Sequence, residues 1–398
     1  MDPISFTKPS GALVRVEAES LAHGRPYWAF RPNPLPPAEH GDATRSAAGV
    51  LADADHWFGR LIGIGIALPD PNLLVVPYMR EEAVSSSRIE GTRTTLLELA
   101  AYEATAHALP RSEVVEVGNY VSALEWALRQ PRDRPIDADL VRTMHRILMR
   151  GARGESLSHP GEFRFVQNFV DSAAMHPADA KFVPPPPDDM HDALTQLFEY
   201  VARPATDTHP LVEAAWAHCQ FETIHPFQDG NGRVGRLLIS LLLSKRRQLA
   251  HPLLYLSPYF ERRDREYRRL LFEVSAQSAW GEWLAFFLNG VIEQSRRAVE
   301  VSGQILALQA DWRRRLDEHR AKHDAYRLAE IVMRRIVVNA SSAFAEFDGD
   351  GGGRGPSRPT VYNLIRSLEE VGILTSMGKA GRAELWYAPE LSALLTPS

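Results

Sequence analysis

The segment IHPFQDGNGRVGR, residues 224–236, constrains the fold of this chain more than any other stretch. It lies between two apolar stretches that both have helical periodicity. Pro226 ends the first helix, because proline has no N–H to donate and disfavours helical geometry in the residue before it. Gly230 and Gly232 are unfavourable inside a helix but allow a loop to approach a ligand closely. The segment therefore predicts two helices joined by a tight loop, with the second beginning near Asn231.

The same loop combines the groups that bind and transfer a phosphate. The start of the second helix presents free backbone N–H groups and the positive end of a helix dipole, which favour an anion. Arg233 and Arg236 are three residues apart and can hold neighbouring parts of a polyanion. Asp229 is unfavourable beside an anion unless a cation such as Mg²⁺ lies between them. His225, with an ordinary pKa of about 6.5, suits a general base. We predict a site for phosphoryl-type transfer.

The stretch HPFQDGNGRVGR resembles, position for position, the signature of the Fic family, H-P-F-x-[D/E]-G-N-G-R-x-x-R. The resemblance extends over about residues 60–300, where LVVPYMREEAVSSSRIEGT, HPGEFR and KFVPPPP are similar to further family landmarks. It implies a mainly α fold with a Fic-type helical core and a small β-hairpin flap. It also implies an enzyme that uses ATP and Mg²⁺ to transfer AMP to a Ser, Thr or Tyr hydroxyl of a target protein, although a few relatives transfer other phosphate-containing groups.

The resemblance also implies roles for individual residues. His225 would deprotonate the target hydroxyl, Phe227 would anchor the loop in the core, and Asp229 would hold Mg²⁺. The residues that would bind the nucleotide are Gly230, Asn231, Gly232, Arg233, Arg236 and Tyr267. Asn231 and the loop N–H groups would form the anion hole. For Tyr267, a place in the packed face of a helix is an equal alternative.

The segment KFVPPPP is similar to the flap with which the family aligns its targets. Lys181, Phe182, Val183 and Pro184 would pair with an extended segment of the target protein by strand addition, which aligns a backbone without reading much sequence. The alternative is a proline-stiffened loop that has no partner.

The segment SSSRIEGT, residues 85–92, matches the inhibitory pattern of the same family, [S/T]-x-x-x-E-[G/N], at Ser86, Glu90 and Gly91. Gly91 is a natural helix terminator, so Glu90 falls at the negative end of a helix that covers about residues 80–91. An acid there is disfavoured unless a cation compensates. The resemblance implies that Arg236 is this cation and that the pair occupies the place of the γ-phosphate. Two alternatives stay open: an exposed glutamate without this role, or a glutamate that positions water for removal of AMP.

Residues 326–398 indicate a winged helix-turn-helix domain, with a recognition helix at 360–371 and a wing at 376–387. This suggests a second class of function, a DNA-binding regulator. The charged residues between positions 354 and 382 are Arg354, Arg358, Arg366, Lys379, Arg382, Glu369 and Glu370, a net charge of +3. That patch is modest for phosphate binding. The domain could also bind protein or mediate dimerisation.

The remaining sequence divides into an N-terminal region (1–115), a Fic core (116–300), a helical linker (301–325) and the C-terminal domain. The first 50 residues are proline-rich and predict an extended arm with little helix. Periodicity predicts helices at 47–66, from Met79 onward, 119–129, 137–150, 188–201, 211–223, 231–247, 267–275 and 280–300.

The cellular context is predicted from what the chain contains. A single cysteine, Cys219, excludes an internal disulfide and fits a reducing cytoplasm. The N-terminus lacks a signal pattern, and the longest uncharged apolar run is too short to span a bilayer, so no membrane partner is expected. A net charge of −5 argues against a surface that binds nucleic acid everywhere. The target protein, the base of the nucleotide and formation of a homodimer stay open.

Overall fold

The structure is a computed structural model that describes the chain except residues 18–24, 69, 106–111, 154, 156–158, 171–173, 204–207, 247–251, 350–354, 382 and 397–398. Helices form most of it, which confirms the predicted mainly α class. Its helices are α1 (His40–Ser46), α2 (Ala48–Ala67), α3 (Asn72–Ile89), α4 (Leu96–Ala104), α5 (Ser112–Leu128), α6 (Ala138–Met149), α7 (Pro187–Ala202), α8 (Pro210–Ile224), α9 (Asn231–Arg246), α10 (Ser257–Arg262), α11 (Asp264–Gln277), α12 (Trp280–Glu318), α13 (His323–Arg335), α14 (Ala340–Gly349), α15 (Arg358–Glu370) and α16 (Pro389–Leu395). Its strands are β1 (Gly11–Val16), β2 (Tyr27–Pro32), β3 (Val337–Val338), β4 (Thr375–Ala380) and β5 (Ala383–Tyr387).

The centre of the fold is the pair α8 and α9, which flank the glycine-rich loop. α8 is buried along almost its whole length, because it packs against α7, α9, α11 and α12. α9 packs on the other side against α3, α5 and α6, and its apolar run, residues 237–243, is buried. The predicted helix–loop–helix is therefore present, and its loop is held between helices that bury both of its ends.

Helix α3 begins seven residues before its predicted start at Met79 and contains Pro77. A proline inside a helix costs about 3 kcal/mol or more, so Pro77 opposes helix formation in these turns. The apolar residues of the first turns, among them Leu73, Leu74 and Tyr78, are buried and compensate for this cost. At the other end the helix stops at Ile89, and Gly91 has φ of +92°, as expected for a terminator.

The first 50 residues are more structured than the extended arm predicted for them. β1 and β2 form an antiparallel pair with Gly11 opposite Pro32 and Val16 opposite Tyr27. Helix α1 follows. The alternating apolar residues of ALVRV and YWAF support these strands, and the proline content obscured that pattern. β2 lies against the predicted flap, where the Phe30 N–H donates to the Val183 carbonyl at 2.9 Å.

The predicted flap hairpin is represented, among the described residues, by one antiparallel bridge between Val170 and Phe182. The carbonyls that follow bond to other parts of the protein. Val183 accepts from β2, and Pro184 accepts from the Gln167 side chain at 3.0 Å. The flap is therefore anchored on one edge.

The C-terminal part follows α12, a single helix of 39 residues that runs through the predicted boundary at residue 300. Beyond it lie α13, β3, α14, α15, the β4–β5 pair and α16, with a three-stranded sheet in the order β3–β5–β4. α15 and the β4–β5 pair lie where the recognition helix and wing are predicted, and Arg354 and Arg382 fall outside the described residues. The winged-helix assignment and the domain boundaries stay predictions. Within the described chain, no helix is both long enough and apolar enough to cross a membrane.

Candidate active site

A cavity of about 650 Å³ lies between the C-terminal ends of α3 and α8, the start of α9, one face of α11 and the flap. The predicted site residues that line it are Glu90, Gly91, Lys181, Phe182, His225, Gly232, Arg236 and Tyr267. The other predicted site residues, which lie behind this wall or beside it, are Ser86, Val183, Pro184, Asp229, Gly230, Asn231 and Arg233. The volume is in the range of small-molecule sites.

The loop between α8 and α9 is fixed from within. Phe227 is fully buried and stacks on the His145 ring at 3.8 Å, so it anchors the loop as predicted. The Asn231 side chain accepts from the Phe227 N–H at 2.7 Å and donates to the Phe227 carbonyl at 2.8 Å. These two bonds fix the orientation of the amide, and the second N–H of Nδ2 is not used by either of them. The His145 Nε2 lies 3.0 Å from the Asp229 carbonyl and supports the loop from α6.

His225 ends α8 in a left-handed conformation, with φ of 50°, and its ring lines the cavity. Its backbone carbonyl accepts from Arg164 at 3.0 Å and Asn168 at 3.2 Å, which holds this conformation. Nδ1 lies 3.2 Å from the Glu222 carbonyl, an atom that can only accept, so Nδ1 carries the proton and Nε2 has the free lone pair. Burial lowers the pKa of His225 to about 4. At neutral pH the imidazole is therefore uncharged, as a general base must be.

Arg236 is buried and directed at the end of α3. Its Nε donates to the Ser86 hydroxyl at 2.8 Å, and its Nη2 donates to the Ser86 carbonyl at 2.8 Å and to Glu90 Oε1 at 2.7 Å. Burial alone would raise the pKa of Glu90, but Arg236, with smaller contributions from Arg268 and Arg233, lowers it overall, so the pair is ionic. The predicted pair of Glu90 and Arg236 is in contact, and Ser86 of the same pattern also bonds to Arg236.

Gly232 is the point at which this ion pair meets the loop. A Cβ at position 232 would collide with Glu90 Oε1 and would come within 2.9 Å of Arg236 Nη1. The bare backbone at the start of α9 is thus covered by a carboxylate, in the place where the helix dipole favours an anion.

Comparison with known families agrees with this geometry. A profile described as Fic/DOC family matches residues 135–243, and a profile described as Fic/DOC family N-terminal matches residues 49–129. This part of the chain belongs to the Fic/DOC family. The first match contains the whole glycine-rich loop, and the second contains α3 with Ser86, Glu90 and Gly91.

Relatives of the Fic domain in other organisms are named protein adenylyltransferases. A protein adenylyltransferase Fic of Nematostella vectensis is 30% identical over 164 residues, which is 40% of this chain and 36% of that protein. One from Drosophila grimshawi is 32% identical over 166 residues, 39% of this chain and 31% of that protein. The chain thus spans about a third of the length of the curated relatives it matches.

Solved Fic structures share the fold. A Fic family protein from Desulfovibrio desulfuricans G20 superposes with a TM-score of 0.54 at 20% identity, over 86% of this chain and 95% of that chain. A Fic domain containing signaling protein from Bacteroides thetaiotaomicron VPI-5482 gives 0.52 at 18% identity, over 63% of this chain and 97% of that chain. At these identities the likeness shows the fold alone.

Two arginines of the Fic signature have different surroundings. Arg236 lines the cavity, whereas Arg233 is buried behind the loop, 3.5 Å from Glu116 and 3.6 Å from Asp229. In this arrangement Arg233 supports the loop and does not face the cavity.

Asp229 is exposed next to the loop, and its Oδ1 accepts from the Gly230 N–H at 2.6 Å. Among the described residues, no three His, Cys, Asp or Glu side chains are grouped to hold a metal ion. A lone exposed carboxylate nevertheless suits Mg²⁺, which commonly takes one or two protein carboxylates and completes its shell with phosphate oxygens and water.

Tyr267 lies in the cavity wall on α11. Its ring stacks on Phe260 at 4.7 Å, and its hydroxyl bonds to His218 Nε2 at 2.8 Å, so it is packed firmly. It also lines the cavity, where its ring can contact a ligand.

Three charged residues of the Fic cavity lie outside the predicted motifs: Glu222, Asp264 and Arg268. Arg268, next to Tyr267, donates to the Ile89 carbonyl at 2.7 Å and so holds the end of α3 over the cavity. Glu222 lies three residues before His225 and faces the same cavity. Its spacing from His225 on a helix was a signal that could have identified it. No local pattern indicates Arg268, since its contact depends on how α11 packs.

Proposed function

We propose that the chain is a protein adenylyltransferase that transfers AMP from ATP to a Ser, Thr or Tyr hydroxyl of another protein and is inhibited by its own Glu90. The observation that carries this proposal is one cavity that holds His225 as an uncharged base and Arg236 as an anion clamp, with Glu90 bound to that clamp. The names of its relatives support the choice of AMP as the transferred group.

The proposed reaction uses the groups on the cavity wall. His225 Nε2 would accept the proton of the target hydroxyl as its oxygen attacks the α-phosphorus. The bond from the α-phosphorus to the oxygen that bridges to the β-phosphorus breaks, and pyrophosphate leaves with that oxygen. The N–H groups at the start of α9 and the Arg236 guanidinium would stabilise the negative charge on the phosphates. Asp229 would hold Mg²⁺, which supplies further charge neutralisation when bound.

Inhibition follows from competition for the same positive groups. Glu90 has about a third of its side-chain surface exposed, and its Oε1 occupies the space above Gly232 and beside Arg236. A triphosphate that enters fully must displace this carboxylate, or else bind in an orientation in which Arg236 does not contact its phosphates. The protein would therefore be a weak transferase until Glu90 moves away.

The test uses ATP labelled on the α-phosphate, with Mg²⁺, the full chain and a cell lysate. We expect Glu90→Gly to label itself or lysate proteins. We expect no label when His225→Asn is added to Glu90→Gly. Label from γ-labelled ATP instead would indicate phosphate transfer and contradict the proposal. Loss of existing AMP label on addition of wild type would favour the reverse reaction, in which the partly exposed Glu90 positions water.

Ser86→Ala is expected to raise the basal transfer activity several-fold, well below the effect of Glu90→Gly. The substitution removes one hydrogen bond to a charged group, which contributes about 1.5–3 kcal/mol at most, and leaves the Glu90–Arg236 contact intact. The measurement is the initial rate of labelling. Ser87→Ala is the matched control, because the Ser87 hydroxyl is buried without a hydrogen-bond partner in the described structure. A similar rise with both variants would contradict the assigned contact.

DNA binding by the C-terminal part is the second function we propose, because α15 carries Arg366 on an exposed position, with the exposed strand β4 beyond it. A gel shift with the DNA upstream of its own gene is expected to show retardation that falls with salt and is weakened by Arg366→Ala. Arg313→Ala, an exposed arginine on α12 paired with Glu330, is the control. Equal retardation by both variants would argue against α15 as the contact.

A further inference from the structure

Glu222 places a carboxyl group in the cavity wall to which no step of the proposed reaction gives a role. It lies one helical turn before His225 on α8, and both line the cavity. Its side chain is 11% exposed, and its Oε1 is buried without a hydrogen-bond partner among the described residues. The nitrogen of His218 that approaches it, Nδ1, is 4.0 Å away, beyond hydrogen-bond distance.

Gly235 makes this position possible. A Cβ at residue 235 would collide with Glu222 Oε1 and lie 3.2 Å from the Phe221 ring. One turn earlier, Gly232 makes the same kind of space for Glu90. α9 therefore presents bare backbone to two carboxyl groups, one of which is bonded to Arg236 and one of which has a free oxygen.

An unpartnered buried carboxyl group destabilises the folded chain unless a ligand bonds to it. Burial raises the pKa of Glu222 to about 7, against the opposing effect of Arg236 and with a further contribution from Glu90. Near neutral pH the group can therefore accept a hydrogen bond as a carboxylate or donate one as an acid. Such a group in a cavity wall is a candidate ligand contact.

The rest of the cavity indicates which part of a nucleotide reaches Glu222. α11 runs along the cavity for about 16 Å from Asp264 to Ser275. At its beginning Arg268 bonds the end of α3, beside Glu90. Its later residues in the wall, Leu271 and Phe272, are apolar.

The apolar end is continued by the flap, where Phe182 belongs to the same hydrophobic cluster as Phe272. A triphosphate fits the charged end with Arg236, and a base fits the apolar end. The sugar joins them, and its hydroxyl groups are the hydrogen-bond donors closest to the phosphates.

We propose that Glu222 hydrogen-bonds a ribose hydroxyl of the bound nucleotide and so selects ribonucleotides over deoxyribonucleotides. This inference rests on the proposed function, because it requires a nucleotide in the cavity. Glu222 is then a specificity-determining residue.

The test measures affinity by calorimetry with the full chain carrying Glu90→Gly and His225→Asn, so that nucleotide enters but is not consumed. The ligands are ATP, 2′-deoxy-ATP, 3′-deoxy-ATP and ITP, each with Mg²⁺. We expect ATP to bind about tenfold more tightly than at least one deoxy analogue, as for one charge-assisted hydrogen bond. Adding Glu222→Leu is expected to bring that ratio close to one while leaving the ATP-to-ITP ratio unchanged.

A thermal melt shows whether each variant folds. Glu222→Leu removes the unpartnered oxygen and is expected to melt at the same or a higher temperature; if it does not fold, Glu222→Met, which also cannot hydrogen-bond a hydroxyl in this way, takes its place in the comparison. The inference is overturned if loss of the carboxyl group leaves the ratio of affinities for ATP and the deoxy analogues unchanged. It is also overturned if only the ATP-to-ITP ratio changes. If no nucleotide binds before Glu222 is altered, the proposed function itself fails, which is a separate result.

Discussion

Replacing Glu90 with glycine is expected to raise the rate of AMP transfer about 100-fold. The substitution removes the carboxylate that bonds to Arg236 at 2.7 Å and that occupies the space over Gly232. A competing interaction of about 3 kcal/mol, within the range for a largely buried ion pair, corresponds to this factor. The measurement is the initial rate of labelling from α-labelled ATP, on the protein itself and on lysate proteins.

The same variant has a signature in stability that does not depend on finding the target protein. Without Glu90, Arg236 is a cation that is 2% exposed and has lost its partner, so the free variant is expected to melt at a lower temperature than wild type. ATP with Mg²⁺ should raise the melting temperature of the variant back towards that of wild type, because it supplies an anion to Arg236. Glu90→Gln, which keeps the shape but not the charge, should be intermediate in both measurements. Equal labelling by wild type and Glu90→Gly would show that this contact is not inhibitory.

The loop between α8 and α9 could be predicted because it follows from local backbone preferences. The contact of Arg236 with the end of α3 could be predicted because both segments match long sequence patterns of one family. Glycines, Pro226 and paired arginines specify a helix–loop–helix by backbone preferences alone. The meeting of Glu90 with Arg236, 146 residues away, came from the family resemblance and not from periodicity. The structure then added what a pattern does not contain, such as the use of both ends of the Asn231 amide by the loop backbone.

Other features could not be predicted because tertiary burial overrides local preference. Pro77 argues against a helix when the segment is considered alone, but α3 continues through it because its neighbours are buried on most faces. Arg233 has the same residue type and motif as Arg236, yet it pairs with Glu116 behind the loop. Which of two arginines faces a cavity depends on the acids that the surrounding helices supply, and no spacing rule within the motif contains that information.

Replacing His225 in the Glu90→Gly background is expected to lower AMP transfer about 1000-fold while leaving nucleotide affinity nearly unchanged. General-base catalysis contributes roughly 10²–10⁴ to a rate. The loop should survive the change, because Arg164 and Asn168 bond to the His225 carbonyl and not to its ring. Asparagine is the suitable replacement, since the backbone here has φ of 50°, which asparagine tolerates better than alanine.

Two measurements separate the base from a structural role. The rate of labelling reports the chemical step, and calorimetry with ATP and Mg²⁺ reports whether the cavity is intact. His225→Ala is the comparison that shows the backbone contribution, and it should match His225→Asn in rate but melt at a lower temperature. If His225→Asn loses nucleotide affinity in proportion to rate, the ring holds the ligand and does not accept the proton. Rapid transfer without the imidazole would require another base in the wall, and Glu222, one turn away with a pKa near 7, would be the residue to replace next.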